Sequence, residues 1–196
     1  MTDNLLTAES PALDQRTSFG FWVYLMTDCL LFASLFATYA VLRGATYGGP
    51  GPHQLFDPGF VLIETLILLT SSFSCGMAIV AARRGNKNLA FALLGLTFVL
   101  GVAFLTMEIS EFTHLALSGE GWTHSAFLSA FFTLVGTHGL HIAVGLVWLT
   151  TLLAQTAKWG LVPGMLRRLS VFGLFWHFLD IIWIFIFTIV YLWGIA

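Results

Sequence analysis

Charge is what this sequence has least of: of its 196 residues only 9% are Asp, Glu, Lys or Arg, while 58% are hydrophobic. Soluble domains carry about 25% charged residues, so a water-solvated globular fold is excluded and a polytopic membrane protein is indicated. The formal net charge of −2, with no basic run away from segment ends, gives no footprint for nucleic acid. Cysteine is scarce too. Cys29 and Cys75 fall in neither C-x-x-C nor C-x-x-C-H, which excludes a redox dithiol and a covalently attached haem. Both lie in apolar stretches and are read as buried, inert thiols. No internal repeat divides the chain into the inverted halves typical of transporters.

What is present is apolar length. Five segments can cross a hydrocarbon core of about 30 Å, which takes about 20 residues at 1.5 Å each. They run approximately over residues 20–42, 59–82, 88–113, 125–157 and 169–193. The expected fold is therefore an all-α integral membrane bundle of five transmembrane helices, residues 19–196, preceded by a polar tail over 1–18. That tail has no basic n-region and no small-residue cleavage site, so it is not read as a signal peptide. The stretch "RGATYGGPGPHQLFDP" reads as a Gly/Pro-rich loop, and "RRGNKN" and "SGEGWT" as short turns.

Basic residues accumulate on cytoplasmic loops. With five spans, Arg16, Arg83, Arg84, Lys87, Lys158, Arg167 and Arg168 fall on one side and Arg43 alone on the other. This predicts a cytoplasmic N-terminus and an external C-terminus. Trp22, Tyr24, Trp159 and Trp176 are expected at the inner interface, and Tyr39, Trp122, Tyr191 and Trp193 at the outer one. Ala33 with Ala37, Ser34 with Thr38, and Gly136 with Gly139 are small residues at helical spacing that let helices, or another subunit, approach closely.

Ionisable side chains inside such spans are expensive and need a partner or a task. Asp28 lies roughly 12 Å from the inner end of its segment and Glu64 roughly 8 Å from the outer end of the second. In "GTHGLH", His138 and His141 stand at i and i+3, about 60° apart on a helix. Zinc, non-haem iron or haem would need further ligands from other helices, so the pair is read as making interhelical hydrogen bonds. Glu111-x-x-His114 matches one element of a di-iron bundle, which needs two such elements and two further glutamates; Glu111 and His114 are therefore assigned to the outer interface. Glu108 is one turn deeper. In "FWHFLDIIWIF", His177 and Asp180 are one turn apart, with Trp176, Asp180 and Trp183 on one stripe suited to protein contact. The expected buried polar network, proton-handling or structural, comprises Asp28, Glu64, Glu108, His138, His141, His177 and Asp180. Asp28 is expected beside an imidazole: counted by depth, His177 from the inner face or His141 from the outer end of the fourth segment. No catalytic or metal-ligating set is assigned.

"GFWVYLMTDCLLFASLFATYAVL", "SAFFTLVGTHGLHIAVG" and "FWHFLDIIWIFIFTIVYLWG" closely resemble subunit III of the haem-copper respiratory oxidases, most strongly its bacterial cytochrome o ubiquinol oxidase branch. The resemblance covers the chain from Phe19 onwards. It implies a five-helix, non-catalytic subunit of a proton-pumping terminal quinol oxidase in the bacterial inner membrane. Such a subunit supports assembly, stability and proton uptake of the catalytic subunit. The resemblance further implies no cofactor in this chain, haem and copper in the catalytic subunit, and bound phospholipid. Subunit I is the main implied partner, with subunits II and IV, membrane lipid, and ubiquinol as substrate of the complex. In the cytochrome c oxidase branch the position matching Asp28 carries a carbodiimide-reactive glutamate; the aspartate resembles the quinol oxidase branch. As the partner of Asp28 the resemblance favours the His138 and His141 pair. Two alternatives stay open: a cytochrome c oxidase subunit III, and a free-standing haem-bearing or proton-conducting membrane protein using His138, His141 and His177.

Overall fold

The computed structural model describes residues 3–46, 58–118, 121 and 123–193. Among these every regular element is helical, and five helices are long and apolar enough to cross a membrane. They are α1 (Asp3–Leu42), α2 (Pro58–Arg83), α3 (Lys87–Leu117), α4 (Ala126–Trp159) and α5 (Pro163–Ile186), the last continuing through a π-helical turn, Phe187–Leu192. The apolar part of α1 begins at Arg16. Trp122, most of the loop between α1 and α2, and part of the turn before α4 lie outside the described residues.

Local chemistry sets the helix ends. Between α2 and α3, Gly85 adopts φ +77°, a left-handed conformation that side chains disfavour. Asn86 then caps α3 by accepting the Leu89 amide at 3.2 Å. Ser125 does the same for α4 through Leu128, also at 3.2 Å, and Gly160 ends α4 at φ +74°. The fifth helix starts six residues earlier than the hydropathy suggests, because Pro163 occupies its first turn, where a missing N–H costs nothing. With 34 residues, α4 is about 51 Å long, more than the membrane needs.

Helices α2, α3, α4 and α5 pack as a four-membered ring, each against its two neighbours, and α1 lies against α4 and α5. Its apolar span and that of α3 are 22% and 28% buried, against 50% for each of the others. Contacts at the two ends confirm the antiparallel order. At one end Arg83 donates to Ser170 (3.3 Å), Lys87 to the Ala157 carbonyl (3.3 Å) and Arg168 to Gln155 (2.7 Å). At the other, Arg43 donates to the Trp193 carbonyl at 3.4 Å, its guanidinium 4.2 Å from the indole centroid.

The aromatic residues correct part of the interface reading. Trp22, Tyr24, Trp159 and Trp193 are exposed, but Tyr39, Trp176 and Tyr191 are buried. Trp176 fills the centre of the ring, wedged between Gly101 on α3 and Gly145 on α4, where a Cβ would stand 3.0 and 2.9 Å from its ring atoms. The thiols separate likewise: Cys75 is buried as expected, whereas Cys29 is exposed on α1. Position on a helix face, invisible to composition, decides each case.

Candidate functional site

The seven candidate residues do not form one network; the helices sort six of them into three groups and set His138 apart. Between α1 and α4, Asp28 Oδ2 stands 3.7 Å from His141 Nε2, within ion-pair range and longer than a hydrogen bond. The other ring nitrogen of His141 bonds the Thr137 carbonyl at 2.7 Å. Accepting from Nδ1–H in this way would leave Nε2 as the lone-pair nitrogen in a neutral ring; an imidazolium would donate from both. His177 is not near Asp28, being on the α2 side of α5.

His138 corrects the expectation of interhelical hydrogen bonding. Its ring is fully buried and neither nitrogen has a partner. Instead it is packed by rings from three other helices: Phe32 at 6.4 Å, Phe104 at 5.9 Å and Trp183 at 5.2 Å between centroids. An imidazole enclosed in this way leaves no face for a porphyrin, so haem does not fit here. Among the described residues no group of three or more His, Cys, Asp or Glu is placed to hold a metal ion.

The second group lies between α2, α3 and the π-helical turn. Glu64 and Glu108 are buried, and none of their four carboxyl oxygens has a hydrogen-bond partner. Glu111 is half-buried and accepts a hydrogen bond from the Tyr191 hydroxyl at 3.1 Å. Glu111 thus faces inward, whereas His114, one turn on, is exposed. The three carboxyls and Tyr191 are close enough to interact electrostatically. Glu108 also presses on the α4 backbone, where a Cβ at Gly139 would lie 2.6 Å from Oε1. Gly139 is therefore a close-approach position.

The third group joins α2 to α5. His177 Nδ1 and Ser72 Oγ are 2.7 Å apart. One turn along, Trp176 donates to Ser71 (3.2 Å), and Trp183 donates to Thr65 (3.1 Å). Asp180 is buried beside them, with Oδ1 unpartnered. Sequence reasoning passed over Ser71 and Ser72. The signal was present in "TSSFSCG", a run of small polar residues inside an apolar span, which in lipid marks a helix-contact face.

Ser72 beside His177 is a hydroxyl next to an imidazole, and among the described residues no group is placed to hold a metal ion. With that geometry in place, the sequence relationships are informative. The family model for cytochrome c oxidase subunit III matches residues 2–195. The chain belongs to that family. It is 56% identical over 179 residues to the cytochrome bo(3) ubiquinol oxidase subunit 3 of Pseudomonas aeruginosa, covering 91% of this chain and 86% of that protein. It is 45% identical to the quinol oxidase subunit 3 of Bacillus subtilis (90% and 87% covered). To the cytochrome c oxidase subunit 3 of a Bacillus species it is 44% identical, with 97% of each chain covered. Membership makes the chain one part of an oxidase.

Proposed function

We propose that this chain is subunit III of a bacterial terminal quinol oxidase, a multi-pass protein of the inner membrane that contributes no redox centre of its own. The observation that carries the reading is near-full-length identity of 56% to a relative named as a ubiquinol oxidase subunit 3, against 44% to one named as a cytochrome c oxidase subunit 3. Aspartate at position 28 agrees with the same branch. Haem and copper reside in the catalytic subunit, subunit I, which is the main partner, alongside subunits II and IV and membrane phospholipid. Ubiquinol is the electron donor of the assembled complex.

The work of the chain is to support assembly and stability of subunit I and its proton uptake. The buried carboxyl and imidazole groups brace helices, and the Asp28–His141 pair between α1 and α4 is the one suited to exchanging a proton. The N-terminus is cytoplasmic and the C-terminus external, a reading supported by the concentration of basic side chains at the end carrying Arg83, Lys87 and Arg168. A reporter fused at the turn after Arg83 is expected to be active only as a cytoplasmic probe.

The decisive experiment is purification through a tag on this chain. Copurification of a haem-copper subunit I together with a subunit II lacking dinuclear-copper ligands is the expected result. A subunit II that carries those ligands would replace quinol by cytochrome c as donor.

A further inference from the structure

A groove of about 480 Å³ between α2 and α5 is lined by Ser72, Phe73, Met77 and His177. Its rim residues Leu69, Phe73, Met77 and Val80 are exposed, so it opens on the outside of the bundle. Ser72 and His177 each lie 14 residues into their helices, about 21 Å along helices of about 39 and 45 Å, which is the middle of the span. His177 is half-buried and bonded to Ser72 through Nδ1 alone. Asp180 is near enough to both to act on them electrostatically. The second ring nitrogen, Nε2, stands beside Gly76, which carries no side chain to cover it. Unlike the two nitrogens of His138, it is not sealed inside the protein.

Depth restricts what can meet that nitrogen. The hydrocarbon core is about 30 Å thick, so phospholipid headgroups stay about 15 Å away, and acyl chains carry no group that donates or accepts a hydrogen bond. A quinone dissolved in the membrane does reach this level, with ring oxygens and an apolar tail. The imidazole suits both of its oxidation states. When the Ser72 hydroxyl donates to Nδ1, Nε2 holds the ring proton and donates to a quinone carbonyl; when Nδ1–H donates to the Ser72 oxygen, Nε2 accepts from a quinol hydroxyl. Only a proton and a hydroxyl rotor change between the two. Around this polar point Phe73 and Met77 supply aromatic and thioether surface for the ring. From Leu69 to Val80 the apolar rim runs about 16 Å along α2, a track for the tail. A concave, mostly apolar surface with one placed polar group is the usual form of a small-molecule site. We propose that the α2/α5 groove binds the ring of a membrane quinone or quinol, with His177 Nε2 as its hydrogen-bonding partner. The proposal rests on the quinol-oxidase reading for the ligand and adds a site for it on this chain.

The test uses the whole complex in its native membrane and a photoreactive azido-quinone with a decyl tail. The expected result is saturable labelling of the groove residues of α2 and α5, competed by the same quinone without the azide. Gly76→Ala is the sharpest variant. Its methyl would stand 3.6 Å from His177 Nε2 and 3.7 Å from Cε1, ordinary contact distances, so the helices keep their packing while the nitrogen is covered. It is expected to raise the half-saturating probe concentration about two- to tenfold, the range of one hydrogen bond. His177→Phe, which keeps a ring and removes both nitrogens, is expected to do the same. Labelling spread evenly over the lipid-facing helices, including α3 around the exposed Val99, overturns the site and leaves the oxidase reading standing. So does an unchanged half-saturation in both variants. Saturable groove labelling in a complex whose subunit II carries dinuclear-copper ligands upholds the site and overturns the quinol reading.

Discussion

Replacing Gly145 by alanine puts a methyl group 2.9 Å from Trp176 Cζ3 and 3.1 Å from Phe175 Cε1. Carbon atoms settle about 3.5–4.0 Å apart, so the new group arrives about 0.6 Å too close to one ring and slightly less to the other. The Trp176 ring is not free to retreat. Trp176 is held from the far side by Gly101, stacks on Phe172 at 5.5 Å and donates to Ser71. Overpacking of this kind costs about 1–3 kcal/mol, partly offset by up to about 1 kcal/mol of helix propensity gained on removing a glycine. A net loss of about 1–2 kcal/mol follows. Trp176→Phe removes the offending benzo ring at its own cost, about 2 kcal/mol for lost contacts and the indole hydrogen bond. In the double variant the clash with the benzo ring is gone, and only the milder approach to Phe175 Cε1 at 3.1 Å remains. The propensity gain is common to both backgrounds and cancels, so the cycle isolates the clash: the two changes together are expected to cost at least about 1 kcal/mol less than their sum. Reversible SDS-induced unfolding in mixed micelles, followed by circular dichroism, measures each corner. Costs that add to within about 0.5 kcal/mol would show that Trp176 does not sit between the two glycines.

Three further outcomes follow from the other contacts. Gly139→Ala brings a methyl to within 2.6 Å of Glu108 Oε1; a loss of about 1–3 kcal/mol is expected in the same assay, relieved by Glu108→Ala, and a persistent loss in the double variant would count against the contact. Tyr191→Phe removes the donor to Glu111 and should cost about 0.6–1.7 kcal/mol, the span for hydrogen bonds in a bilayer protein; unchanged unfolding would mean that the bond adds nothing. Asp28→Asn keeps a hydrogen-bonding group opposite His141 and removes the titration, so the assembled oxidase is expected to keep normal subunit content while quinol-driven proton release per oxygen falls modestly, and loss of the chain from the complex would instead assign Asp28 a structural role.

The five spans were legible because length and apolarity are properties of a segment as a whole. Facing is not, and the misreadings concentrate there. Tyr39 and Tyr191 occur near helix ends, where an amphipathic ring serves an interfacial belt as well as a core. Tyr39 turns inward to donate to the Val190 carbonyl at 3.5 Å, and Tyr191 to meet Glu111. The π-helical turn that carries both Val190 and Tyr191 has no signature in "FTIVYL". Glu111, six residues before the end of α3 at Leu117, turns inward to Tyr191, a facing that spacing alone does not reveal. His138 and His141 share a motif and have unlike surroundings, since about 60° of rotation separates an aromatic cage from a carboxylate. The depth of Asp28 could be counted, but choosing between His141 and His177 required knowing that α1 packs on α4.

The central claim, that this chain supports a haem-copper oxidase without holding its chemistry, is tested most directly by purifying the oxidase with and without it. Haem per catalytic subunit is quantified, and quinol-driven oxygen consumption is followed to exhaustion. The account predicts equal haem content and a similar initial rate, with a shorter active lifetime when the chain is missing. Haem absorbance that falls in proportion to this chain, at constant catalytic subunit, would contradict it.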